Sequence, residues 1–209
     1  MILPQRRPAQ HNPPPDRFRG YIAGMGTGAG IRIVVGHWQS SPLGGFTDVM
    51  VQHPDGRRVL LAPNDDVAAY VRATYTFDEV LIAPVRADLS PRELTVTAGP
   101  LSLSAGIGAR APLGHLLRAV PRRLGTSPLW LGALDPLARL ARLRTAGSAG
   151  GGRREFYGVT DLRRLTGLCA SWDGEELGGL RPVLPPVTFG FGSAPPAPSI
   201  ATLVTTIRH

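Results

Sequence analysis

Between Phe18 and Ala62 the chain falls into four strand-length apolar runs, Phe18 to Ala23, Ile31 to Trp38, Phe46 to Gln52 and Arg58 to Ala62, separated by Gly-rich or Ser/Pro/Gly breaks. Runs of this length with alternating or continuous apolar residues read as β-strands, and the breaks between them leave no room for a long helix. The last two runs are joined by His53-Pro54-Asp55-Gly56, where a proline leads an Asp-Gly pair and turns the chain back on itself. A content of 26 Gly and 21 Pro in 209 residues carries the same pattern of short elements and many turns through the rest of the chain.

One helix interrupts the strands. Asn64-Asp65-Asp66, after Pro63, offers a side-chain acceptor for free helix N–H groups and two negative charges for the N-terminus. The helix is predicted to run about ten residues to Thr74, with Val67, Tyr70, Val71 and Thr74 toward the core and Arg72 on the flank. Further strands are expected at Glu79 to Val85, Glu93 to Ala98, Leu101 to Ala105, Phe156 to Val159, Leu165 to Trp172, Val187 to Phe191 and Ile200 to Ile207, with a second Asp-Gly turn at Asp173-Gly174. Between them, Leu113 to Val120, Ser127-Pro128 and Asp135-Pro136 mark three short helices, and the glycines of Gly147 to Gly152 form a connector. The expected fold is therefore mainly β (α+β): a curled antiparallel sheet or a closed β-barrel-like cone with one helix in its first half and a short-helix excursion at about 112–144. Residues 1–17 read as a disordered Pro-rich leader, and 18–209 as a single β-rich domain carrying an Arg-rich helical insertion at 110–153.

Several chemistries are closed. All 23 basic residues are arginine, so no side-chain amine exists for a Schiff base, a P-loop lysine or Ser-Lys catalysis. The glycines from Gly20 to Gly30 lead into a strand where a dinucleotide fingerprint requires a helix. His37, His53 and His115 lack metal-ligand spacing, so no metal and no cofactor is expected. The single cysteine, Cys169, cannot form an internal disulfide and reads as a core thiol. The N-terminal residues lack the apolar core of a signal peptide, and the prolines between Pro182 and Pro198 prevent the long uncharged run there from forming a membrane helix; a cytoplasmic location is the default.

The net charge of +8 is concentrated between Arg110 and Arg164, where eleven arginines face Asp135, Glu155 and Asp161. Such a field attracts anionic partners. No nucleic-acid motif accompanies it, since only Trp130, Phe156 and Tyr157 interleave aromatics with the arginines.

The segment Ser41-Pro42-Leu43-Gly44-Gly45-Phe46-Thr47-Asp48 is a turn that feeds an aromatic residue and then an acid at the start of a strand, where the acid can point into a cavity mouth. This segment resembles the acetoacetate decarboxylase family, as do Ala69-Tyr70-Val71-Arg72 on the helix and the stretch from Trp172-Asp173-Gly174 to Pro186-Val187. The resemblance implies a curled antiparallel β structure around an apolar cavity. It also implies departures: the family's imine-forming lysine falls on Arg72, its neighbouring lysine on Ala73 and a further glutamate near Ile33, so only the acidic position is kept, as Asp48. A guanidinium stays protonated and does not form imines, which excludes decarboxylation by the family mechanism.

Two functions are expected on this basis. In the first, an enclosed cavity binds or transforms a small apolar or carboxylate-bearing molecule, with Asp48 as catalytic acid or base and Arg72, Phe46 and Trp38 as ligand contacts. Here Arg72 either pairs with Asp48 or clamps a ligand carboxylate. In the second, an interaction protein docks on an anionic partner or membrane surface through Arg118, Arg122, Arg123, Arg139 and Arg142.

Overall fold

The computed structural model describes residues 15–119, 146–148, 154–190 and 194–208. Its strands are β1 (Asp16–Thr27), β2 (Arg32–Ser40), β3 (Phe46–Gln52), β4 (Arg58–Ala62), β5 (Glu79–Ile82), β6 (Val85–Leu89), β7 (Glu93–Ala98), β8 (Leu101–Arg110), β9 (Ala146–Ser148), β10 (Arg154–Trp172), β11 (Glu175–Glu176), β12 (Leu180–Arg181) and β13 (Ser199–Arg208). The helices are α1 (Asp65–Arg72) and α2 (Pro112–Ala119). The strands form a single sheet whose main path runs β5-β4-β3-β2-β1-β13-β10-β8-β7-β6, strongly curled into a half-barrel. Of the two forms expected from the sequence, the curled open sheet is the one adopted.

Pairing along the path is antiparallel except between β4 and β5, which run parallel. A parallel connection requires a crossover that lies over one face of the sheet, and α1 is that crossover. Asn64 caps the helix as predicted, its side-chain oxygen accepting from the Val67 N–H at 2.9 Å. Val67, Ala68 and Val71 turn toward the sheet.

The centre of the sheet is covered on both faces, and strand alternation sorts its residues between two cores. One face carries Ala23, Met25, Ile33, Val35, Val49, Val51, Val59 and Leu61, packed against residues of β7, β8 and β10 from the far part of the curl. The other carries Ile22, Val34, Met50, Leu60 and Leu203, covered by α1 and by Val183, Val187 and Phe189.

The structure departs from the expected elements at several places. β1 begins at Asp16, inside the segment expected to be disordered, because Asp16 pairs with Ile207 and accepts a hydrogen bond from the Tyr70 hydroxyl at 2.7 Å. The two strands expected between Phe156 and Trp172 are one long strand, β10, which absorbs its polar middle through register shifts against β13 and β8. Ala83-Pro84 splits the run expected from Glu79 into β5 and β6. Val187 to Gly190 is irregular, although Val187 and Phe189 are buried. The prolines before it withhold the N–H groups a strand needs, and its backbone bonds go elsewhere: the Thr188 N–H donates to Gln52 Oε1 at 2.8 Å, and the Phe189 carbonyl accepts from the Thr76 N–H at 2.7 Å. The two expected helices after α2 lie outside the described residues. Cys169 is exposed, since its strand neighbours Leu168 and Ala170 take the core side. Among the described residues no helix is long and apolar enough to cross a membrane.

Candidate functional site

Asp48 lies in the middle of β3 between Phe46 and Met50, so alternation turns it to the α1 side. The turn before it is held by Ser41, whose Oγ donates to the Gly44 carbonyl at 2.6 Å and accepts from the Leu43 N–H at 3.0 Å. Directly across on β2 stands Gly36, with Trp38 opposite Phe46. A Cβ on Gly36 would fall 2.6 Å from Asp48 Oδ1 and 2.8 Å from Trp38 Nε1. The absent side chain is thus the space in which the carboxylate meets the indole, and Trp38 Nε1 donates to Asp48 Oδ1 at 3.1 Å.

These residues line a small cavity between the sheet and α1. Phe18 and Ile22 of β1, Gly36 and Trp38 of β2, Phe46, Asp48 and Met50 of β3, Glu155 of β10, and Thr205 and Ile207 of β13 form its floor. Tyr70, Val71, Thr74 and Tyr75 form its roof. Its volume is about 40 Å³. That exceeds the ~10–15 Å³ one water needs and lies far under the ~300 Å³ of ordinary small-molecule pockets. Only a very small group fits without movement of the aromatic walls.

The second acid is the residue that sequence reasoning missed. Glu155 is 3% exposed, and both its carboxylate oxygens accept from the Tyr75 hydroxyl, at 3.1 and 3.0 Å. The Tyr75 and Tyr157 hydroxyls are 2.6 Å apart, which makes a compact Glu-Tyr-Tyr cluster. β3 and β10 are the outermost of the five contributing strands, so the two acids approach the cavity from opposite sides.

Burial governs the charge state of both acids. Removal from water pushes the Asp48 carboxyl up to about 7, against the opposing hydrogen bonds from Trp38 and its own backbone N–H. Burial likewise pushes Glu155 up to about 7, against the bonds from Tyr157 and Tyr75. Burial first, and then the Glu155 charge, raise both tyrosines well above the usual phenol range, and Tyr75 also feels Asp48. No arginine or histidine is among the described residues lining the cavity. Two carboxyls therefore hold their protons into the neutral range with no counter-charge among the described residues that line the cavity.

The structure brings together Asp48, Phe46 and Trp38 but leaves Arg72 outside. Arg72 stands in the last turn of α1, one residue beyond the buried Val71, and the rotation of about 100° per residue carries it to the exposed side. The pair expected between Asp48 and Arg72 is not among the ion pairs of the described residues, which join Arg57 to Glu79, Arg58 to Asp78 and Arg110 to Asp161. Of the arginines expected on an anionic surface, Arg118 is exposed on α2. Arg122, Arg123, Arg139 and Arg142 lie outside the described residues.

Two roomier depressions occur elsewhere. One of about 600 Å³ is lined mostly by side chains of β7, β8 and β10, with Cys169 among them, and collects no buried titratable group. The other, of about 530 Å³, is lined in part by His37, Asp161 and Arg163. There His37 is bonded to Thr47 Oγ1, Asp161 to Arg110, and Arg163 to the Gly108 and Pro91 carbonyls. Among the described residues no group of three or more His, Cys, Asp or Glu side chains could hold a metal ion.

No family model matches this chain, and no curated protein matches it. A crystal structure of acetoacetate decarboxylase from Legionella pneumophila subsp. pneumophila strain Philadelphia 1 is similar to it over 99% of this chain and 90% of that one, with a TM-score of 0.43 and 11% identity.

Proposed function

We propose that this protein binds a small, largely apolar molecule between α1 and the sheet, and that Asp48 and Glu155 exchange protons with the molecule's polar end. The observation that carries this reading is the convergence of two buried carboxyls, both with pKa values of about 7, on one aromatic-walled cavity. Groups whose pKa lies near the working pH are present in both protonation states, which is the condition for efficient general acid and base catalysis. Buried acids of this kind also destabilise the fold at neutral pH, a cost that a site serving a ligand offsets.

The cavity favours some ligands over others. A carboxylate-bearing ligand would add a third acid to a cavity with no cation among its described lining residues, so the carboxylate half of the sequence expectation loses its support with Arg72 outside. Phe18, Ile22, Met50 and Val71 suit an apolar body.

A thermal-shift panel tests this reading with short-chain alcohols, ketones, alkylammonium salts and carboxylates, applied to the wild type, Asp48→Asn and Glu155→Gln. The reading expects an alcohol, ketone or ammonium compound to raise the melting temperature and at least one of the two substitutions to change that response. If no compound acts, or only carboxylates act and both substitutions leave the effect intact, the cavity is not the binding site.

A further inference from the structure

Four aromatic rings gather beside Asp48, and no cation is among the described residues that line the cavity. Phe18 is their hub, with centroid distances of 5.5 Å to Trp38, 6.3 Å to Phe46 and 5.2 Å to Tyr70. The polar groups that share the cavity with Asp48 come from every element around it: Trp38 from β2, Tyr70, Thr74 and Tyr75 from the roof, Thr205 from β13 and Glu155 from β10. The Tyr70 hydroxyl donates to Asp16, and the Tyr75 hydroxyl is bonded to Glu155 and Tyr157. Arg72 faces solvent, and the sequence contains no lysine that could enter.

One polar atom in the cavity wall lacks a partner. Thr205 is 2% exposed, and its Oγ1 makes no hydrogen bond. Thr205 lies directly across from Phe18 on β1 and Tyr157 on β10, within the wall that lines the cavity. Three strand spacings of about 4.8 Å separate β13 from β3, so this hydroxyl belongs to the Phe18 end of the cavity and not to the surroundings of Asp48.

We propose that the cavity binds a small alkylammonium ion, whose N–H groups donate to the Asp48 carboxylate while its carbons and charge lie against Phe18, Trp38, Phe46 and Tyr70. This rests on the binding reading above and specifies its ligand. An ammonium ion supplies the counter-charge that the described lining residues lack, and the π-faces of aromatic rings attract cations. It has several donors and no acceptor, which matches an ionised carboxylate. A neutral ligand of the same size leaves the acid without a counter-charge, and an anion adds repulsion. The cavity volume of about 40 Å³ restricts the ion to a short alkyl group.

Binding in this manner ejects the Asp48 proton while the ammonium keeps its own. With the carboxyl titrating at about 7, its ionised fraction rises about tenfold between pH 6 and pH 8, and the apparent affinity rises by the same factor. Calorimetry and thermal shift on the full chain, at matched ionic strength, compare ethylammonium with its neutral counterpart ethanol at these two pH values. The expected result is binding of ethylammonium about tenfold tighter at the higher pH, lost in Asp48→Asn, with ethanol giving a smaller effect that lacks this pH dependence. Equal responses to ethanol and ethylammonium, or retention of the ethylammonium response in Asp48→Asn, overturn the cation proposal. The pocket reading survives that outcome if Asp48→Asn or Glu155→Gln changes the ethanol response, and both fall if neither compound nor any ketone binds.

Discussion

Replacing Asp48 by Asn alters how stability depends on pH, and the size of the change follows from the burial of one group. In the folded chain the Asp48 carboxyl rises from 3.8 to about 7 because burial penalises its charged form. Between those values the folded state binds more protons than the unfolded state, so stability falls as pH rises. The contribution is fully present below about pH 4 and is lost by the time the pH passes about 7, a change of about 4 kcal/mol. Asn cannot ionise, and its side-chain oxygen can still accept from Trp38 Nε1. Urea unfolding at intervals from about pH 4 to pH 8 should therefore show the variant close to wild type at the acid end and more stable by up to about 4 kcal/mol at the alkaline end. Asp78 and Asp161, whose pKa values are lowered by Arg58 and Arg110, titrate in both proteins and cancel in the difference. Parallel stability profiles, or a variant less stable than wild type at about pH 8, would refute the claim that Asp48 is buried without a counter-charge.

Other substitutions read neighbouring parts of the site. Trp38→Phe keeps an aromatic ring beside Phe18 but removes the donor at 3.1 Å, so the Asp48 pKa should move further up, by about one to two pH units if the lost bond is worth 1.5–3 kcal/mol, as read by the inflection of the same pH series. Gly36→Ala places a Cβ 2.6 Å from Asp48 Oδ1 and should cost about 1–3 kcal/mol in urea unfolding, whereas Gly167→Ala, with nothing within 4 Å of its Cβ, should stay within about 0.5 kcal/mol. Asn64→Ala removes the cap that accepts from Val67 N and should lower stability by about 1 kcal/mol in a chemical melt.

Most of the strand framework was legible because its signals are local. The runs before Ala62 became β1 to β4, the His53 to Gly56 turn closes with Gly56 N–H donating to the His53 carbonyl at 3.0 Å, and Asp173-Gly174 adopts the paired positive φ values of a tight hairpin. The Asn64 cap was readable for the same reason. Features set by distant contacts were not. Val187 to Gly190 has strand composition, yet it is irregular: Pro185 and Pro186 before it cannot join a ladder, and its backbone bonds to Gln52 and Thr76 instead. Cys169 faces outward only because its neighbours fill the core.

The same division holds at the site. The turn at Ser41 to Gly45 and the alternation after it put Phe46 and Asp48 on one face, and Trp38, which precedes the turn, joins them as the residue paired with Phe46 on β2. Arg72 was assigned to the cavity by resemblance, while its position one residue past Val71 already put it on the flank. Glu155 escaped because it sits among arginines and was counted as part of a charged segment. Its signal was the alternation with Tyr157, which places acid and phenol on one face once the strand is known to begin at Arg154. Tyr75 lies past the end of α1, and no local pattern joins it to a residue eighty positions away.

The central claim is that two buried carboxyls keep protons into the neutral range inside one cavity. Carbon-13 NMR of the side-chain carboxyls, assigned by comparison with Asp48→Asn and Glu155→Gln, measures this directly across a pH titration. Midpoints near 7 for both groups are expected, with that of Asp48 falling when ethylammonium is present. Midpoints in the ordinary carboxylate range of about 4 would contradict it.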